Sequence, residues 1–190
     1  MNKRYFLSVA AAIVLAAPMA LAEAGAGSHG AVTAGAAADG KPAMPLNLNG
    51  FVNSAATSDL YEIEASKLAE QRATDPAVKS FARKMVAAHT GTSDKLKSAL
   101  SALNSNVTPP TALDNRRQGL IDDLRGARPG EFDRRYLSQQ VDAHKEALAL
   151  MRNYAKNGDQ PAIEKLAADT APVVQSHLEM AQQLLDKHES

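Results

Sequence analysis

Asp75-Pro-Ala-Val-Lys-Ser-Phe-Ala-Arg-Lys-Met-Val-Ala-Ala-His89 reads as the opening of an amphipathic helix. Asp75 suits the N-cap, where its carboxylate can accept from free first-turn amides. Pro76 suits the first helical position, which needs no N–H. The inward stripe that follows is Val78, Ala82, Met85, His89, Thr92, Leu96, Ala99 and Leu103, at three- and four-residue spacing. Gly91 and its Thr and Ser neighbours weaken this stripe without changing its phase. Its unexpected member is His89, an imidazole where burial calls for a hydrocarbon.

The same rhythm recurs on both sides. A first helix is expected over 50–73. After it and the helix at Asp75, the segment from Asn104 to Pro110 breaks the pattern, a short helix is expected over 113–124, and Gly126-Ala-Arg-Pro-Gly130 stops it. A further long helix over 131–156 carries Leu137, Val141, His144, Leu148, Met151 and Ala155. Asn157-Gly158-Asp159 should close that helix through its glycine and offer Asp159 as the next N-cap. The last helix carries Ile163, Ala167, Thr170, Val174, His177, Ala181 and Leu184, with Pro172 expected to kink it and free a carbonyl near His177. Four long helices, two tight turns and one long middle connection describe an all-α four-helix bundle whose crossover holds a short extra helix. An up-down bundle with a protruding short helix fits the same pattern.

Three histidines share a local setting, each with valine three residues earlier: Val86-Ala-Ala-His89, Val141-Asp-Ala-His144 and Val174-Gln-Ser-His177. Residues three apart lie on one helix face, so each imidazole points inward. At ~1.5 Å per residue, His89 lies ~20 Å and Glu62 ~18 Å from the turn joining their helices. His144 and His177 lie ~20 to 28 Å from theirs, again near the middle of a ~40 Å bundle. The expected metal ligands are therefore Glu62, His89, His144 and His177, a donor set that suits zinc, iron, copper or nickel. Tyr61, Tyr136 and Asp142 are expected to orient the rings, and Met85 and Met180 place thioethers on adjoining faces, which admits copper. The competing reading is that the imidazoles are core groups satisfied by hydrogen bonds, with methionine as ordinary filler. Glu64 and His188 are expected at the surface.

Composition narrows the chemistry. Without cysteine there are no thiolate nucleophiles, iron–sulfur clusters or cysteine zinc sites. Charge is balanced at 21 basic and 21 acidic residues, tryptophan is absent and aromatics are 4%, so a nucleic-acid partner has neither a basic patch nor a stacking platform. No Gly-x-Ser-x-Gly elbow occurs. Carboxylate di-iron bundles need paired Glu-x-x-His motifs, and here valine holds that place three times. No catalytic residue is assigned.

The N-terminus reads as an address. Lys3 and Arg4 precede an apolar run from Tyr5 to Ala17, and Ala20-Leu21-Ala22 offers a cleavage site after Ala22. A signal peptide over 1–22, a flexible Ala/Gly-rich tether over 23–49 and a bundle over 50–190 are expected, placing the mature protein in the periplasm or beyond, without stable membrane insertion. His29 lies in the tether and receives no role.

The ordered set Phe51-Val…Ala55-Ala56…Glu62-Ile-Glu64, Phe81-Ala…Met85-Val…His89, Phe132-Asp133…Tyr136…His144 and Ala171-Pro172…His177-Leu178-Glu179-Met180-Ala181 resembles the bacterial domain-of-unknown-function family 4142. The resemblance extends from Phe51 to Leu185. It implies a ferritin-like bundle in the cell envelope and carries no established activity. Glu62, His89, Tyr136, His144 and His177 fit the family's pattern of glutamate, histidine and tyrosine. Two functions follow as expectations: metal handling or stress protection in the envelope through a core metal ion, or a metal-free module that binds an envelope protein. Acid sensing by the buried imidazoles is a third.

Overall fold

The computed structural model describes residues 47–189. The expected signal peptide, its cut after Ala22, His29 and the tether as far as residue 46 lie outside the described residues. Among the described residues there are five helices and no strand: α1 (Leu48–Arg72), α2 (Pro76–Ala102), α3 (Asn115–Gly126), α4 (Pro129–Asn157) and α5 (Pro161–Glu189).

Local chemistry sets the helix ends. Asn47 caps α1 by accepting from the Gly50 amide at 2.8 Å, so the bundle starts just inside the stretch read as tether. Asp75 caps α2 as expected, accepting from Ala77 N at 2.6 Å, and Asp114 caps α3 through Arg117 N at 2.7 Å. Past α2, Asn104 takes a left-handed φ of 48° while Asn104 N donates to Ser101 O and Ser105 N to Leu100 O, a paired closure that satisfies two terminal carbonyls. Helix α4 begins two residues before the expected position because Pro129 occupies its first turn.

Two local expectations need correction. Asp159 does not serve α5 as its cap: it accepts the Tyr154 hydroxyl at 2.7 Å, and the first-turn amides of Ile163 and Glu164 donate to the Gln160 carbonyl. Gly158 does close α4, with extended rather than left-handed backbone, and its need for glycine is steric, since a Cβ there would lie 2.7 Å from the Tyr154 ring. The second concerns Pro172. Helix α5 runs through it as one helix, and the carbonyl deprived of a partner belongs to Ala168, ~13 Å along the axis from His177.

Pairings between helices fix the topology. Phe51 stacks on Tyr154 with centroids 4.2 Å apart, Tyr61 bonds Gln139, Ser66 bonds Tyr136, and Thr74 bonds Asp133, so α1 and α4 run antiparallel. Helix α1 also packs on α2, and α5 packs on α4 and α2. Helices α2 and α4 are therefore diagonal and parallel, and the chain from Ala102 to Pro129 must travel the bundle's length. This is the ferritin-like crossover, and it removes the up-down alternative. Helix α3 lies within the crossover against α1 and α4. Arg72 pins its far end, donating to the carbonyls of Leu124, Arg125 and Ala127 at 2.6 to 2.7 Å while its guanidinium sits over Phe132.

The core has two apolar halves. One gathers Tyr61, Val78, Met85, Tyr136, Leu137 and Ala181, and the other Phe51, Val52, Leu96, Leu100, Leu150 and Ile163. On every long helix the sequence passes from one half to the other through a short buried polar segment. Those segments meet in one layer across the middle of the bundle.

Candidate metal centre

The middle layer is formed by Asp59 and Glu62 from α1, His89 from α2, Gln140 and His144 from α4 and His177 from α5, all buried. Valine or alanine on the neighbouring turns keeps each imidazole in an apolar stripe, and hydrophobic packing of the two half-cores holds the layer shut. The three ring centroids form a triangle with sides of 5.6, 5.7 and 6.0 Å. The centre of such a triangle is about 3.3 Å from each corner. An ion bonded at ~2.0 Å to an imidazole nitrogen stands about 3.2 Å from that ring's centroid. One nitrogen from each ring also lies within 4.8 Å of one from each of the others. Three nitrogens bonded to one ion lie ~3.3–3.5 Å apart, so the rings can share an ion if these atoms close by up to about 1.5 Å.

Hydrogen bonding leaves the facing nitrogens free. His89 Nδ1 meets Asp59 Oδ1 at 2.8 Å, and His144 Nδ1 donates to the Gln140 carbonyl at 2.8 Å. Each bond fixes the proton on Nδ1 and turns the lone pair of Nε2 inward. His89 Nε2, His144 Nε2 and His177 Nδ1 are buried and have no hydrogen-bond partner. Three unsatisfied imidazole nitrogens in one small volume cost the fold free energy unless something accepts their lone pairs. Asp59 is itself held: Thr92 Oγ1 donates to its Oδ2 at 2.8 Å and Ser93 Oγ at 3.1 Å. A cavity of about 40 Å³, lined by Phe51, Ala55, His89, Leu150 and Val174 among others, adjoins the layer on its apolar side.

The electrostatics split the three rings. Burial pushes His177 down to about 3, assisted by His144, His89 and Lys84. Burial also lowers His144, against the pull of Glu62. For His89 burial acts downward too, but the Asp59 hydrogen bond and the charges of Glu62 and Asp59 outweigh it, and its pKa is raised. Two rings are thus held neutral, the form that binds metal, while the third is kept polarised by its carboxylate.

Of the four expected ligands, the structure brings the three histidines together. Glu62 is buried beside them, its Oε1 3.6 Å from His144 Nδ1, but it is not among the three residues whose ligand atoms close on one another. Tyr61 donates to Gln139 and Tyr136 pairs with Ser66, so neither phenol touches an imidazole nitrogen. Burial raises both phenols well above the ordinary range, with Glu62 adding to it. Asp142 is exposed, 3.9 Å from Lys145, and does not orient a ring, because its i−2 spacing from His144 puts it on the outer face. Met85 is fully buried in the half-core with Tyr61 and Tyr136, and Met180 is half-buried, its sulfur 3.3 Å from Lys84 Nζ. His188 is half-buried at the end of α5, with Nε2 3.2 Å from Asp75. Glu64 pairs with Arg125 at 2.6 Å. Sequence reasoning missed Asp59 and Gln140. Asp59 carried a readable signal, since it stands three residues before Glu62 and shares its face.

Fold and site together define a ferritin-like helical bundle with a buried three-histidine cluster at mid-length. Residues 32–184 match a domain of unknown function, DUF4142, and the chain belongs to that family. No curated protein matches the sequence. Among solved structures, the fold is similar to CopM in the Cu(II)-bound form, with a TM-score of 0.64 and 19% identity over 76% of this chain and 99% of that one. CopM in the Ag-bound form gives 0.61 and 21% over 75% and 98%. A DUF305 fragment from Deinococcus radiodurans gives 0.63 and 14% over 72% and 93%. At these identities the likeness is one of fold.

Proposed function

We propose that this bundle binds one transition-metal ion through His89, His144 and His177 and serves metal handling or stress protection in the cell envelope. The observation that carries the reading is the convergence of three buried imidazoles whose facing nitrogens have no other partner. Their carboxylate and carbonyl supports match the usual second layer of a histidine metal site. An all-imidazole donor set favours copper or zinc over hard ions such as magnesium or calcium. The CopM structures, described in Cu(II)-, Cu(I)- and Ag-bound forms, support copper as the first ion to test. The envelope part rests on the leader-like N-terminus and the tether-like composition that follows it. Among the described residues no helix is long and apolar enough to cross a membrane.

Binding, storage and delivery all need this geometry, and none needs a catalytic group. The test is metal content by mass spectrometry on protein purified without chelator or an affinity-tag metal, beside a variant carrying His89→Leu, His144→Leu and His177→Leu. Near-stoichiometric metal in the parent, lost in the variant, is expected. A parent that stays metal-free and fails to take up copper or zinc on titration would sink the proposal and favour the metal-free interaction module.

A further inference from the structure

The geometry points to a centre charge-matched to a divalent rather than a monovalent ion, with Asp59 and Glu62 as outer counter-charges; this rests on the ligand set proposed above. Three imidazoles bring no charge, so a buried ion keeps its full charge unless the protein supplies the opposite sign nearby. Two carboxylates stand behind the ligands, one touching His89 and the other 3.6 Å from His144. Two negative charges cancel a divalent ion and leave a monovalent one overcompensated.

Asp59 alone would not carry this, because its hydrogen bonds to His89, Thr92 and Ser93 give it a structural reason to be there. Glu62 has no such reason. It is only 1% exposed, its Oε2 has no hydrogen-bond partner, and the nearby Nδ1–H of His144 is already given to the Gln140 carbonyl. Both side-chain atoms of Gln140 are unpartnered as well. A buried carboxylate without close donors destabilises a fold. Its placement against the back of a ligand makes sense as charge waiting for a cation.

The consequence is quantitative. Removing a carboxylate behind a ligand lowers metal affinity by about 10- to 100-fold. Coulomb energy scales with the ion's charge, so the logarithm of the loss should be half as large for a monovalent ion, about 3- to 10-fold. Competition titrations of the full chain with zinc(II) and silver(I) read both losses, for the parent, Glu62→Gln and Asp59→Asn. Expected are a loss for zinc with about twice the logarithm of that for silver, and ion-free Glu62→Gln at least as heat-stable as the parent. Equal losses for both ions, no loss, or an ion-free Glu62→Gln that is less stable than the parent would overturn the proposal. Should Glu62→Gln bind either ion too weakly to titrate, Asp59→Asn still makes the zinc-to-silver comparison. A parent that binds neither ion would instead overturn the metal reading itself.

Discussion

Asp59→Ala removes the acceptor of three donors at once. His89 Nδ1 lies 2.8 Å from Oδ1, and the hydroxyls of Thr92 and Ser93 lie 2.8 and 3.1 Å from Oδ2. The hydroxyls can rotate, and Thr92 already reaches the His89 carbonyl at 3.1 Å, so most of the loss falls on the imidazole. A hydrogen bond to a charged acceptor contributes about 1.5–3 kcal/mol, and relief of a buried charge offsets part of it, leaving a net cost of about 2 kcal/mol. For a domain of this size that is a fall in Tm of roughly 4–8 °C. The His89 ring also loses the bond that turns Nε2 inward, so zinc affinity should fall about 10- to 100-fold. Urea unfolding and a competition titration measure the two effects on the same samples. Asp59→Asn, whose amide oxygen can still accept from His89, should recover most of the stability. If Asp59→Ala matches the parent in both assays, the carboxylate does not build the centre.

Three other outcomes test the scaffold and its protonation. Arg72→Ala strips the carbonyls of Leu124, Arg125 and Ala127 of their shared donor and should cost about 2–3 kcal/mol in urea unfolding. Gly158→Ala puts a methyl 2.7 Å from the Tyr154 ring and should destabilise by about 1–3 kcal/mol, which an unchanged Tm would contradict. Acid should weaken the fold through His177 and His144, whose native pKa values lie below the unfolded value of about 6.5. Their contribution is complete above pH ~6.5 and is lost as pH falls towards the native value of His177, about 3, because the unfolded chain takes up protons that the native state refuses. His89 acts oppositely: its raised pKa stabilises below ~6.5, and that share disappears as pH rises through its native value. The two lowered rings outnumber the raised one, so the urea midpoint should be lower at pH 4.5 than at pH 7, and His177→Leu should flatten the difference.

The helices and their inward faces could be read from apolar spacing because each stripe records a burial that the bundle enforces. His89, His144 and His177 stood in those stripes, and counting residues from the turns was enough to level them. What spacing could not supply was lateral position within the layer. Glu62 lies on the inward face of α1 as expected, with its Oε1 3.6 Å from His144 Nδ1, while Asp59, one turn earlier, takes the contact with His89. Asp142 stands two residues before His144, and on a helix that spacing puts it on the outer face, away from the ring. The crossover became decidable only through pairings such as Tyr61 with Gln139, which join residues 78 apart and leave no local trace in the sequence. Asp159 departs for a local reason: it accepts from Tyr154, five residues earlier across the turn from α4 to α5, instead of capping α5.

X-ray absorption at the metal edge of the loaded protein reads the ligand set itself. Three nitrogen scatterers at ~2.0 Å with the multiple-scattering pattern of imidazole are expected, reduced by one when His177→Leu is loaded alongside. A shell dominated by sulfur from Met85 or Met180, or oxygen-only coordination unaffected by that variant, would contradict it.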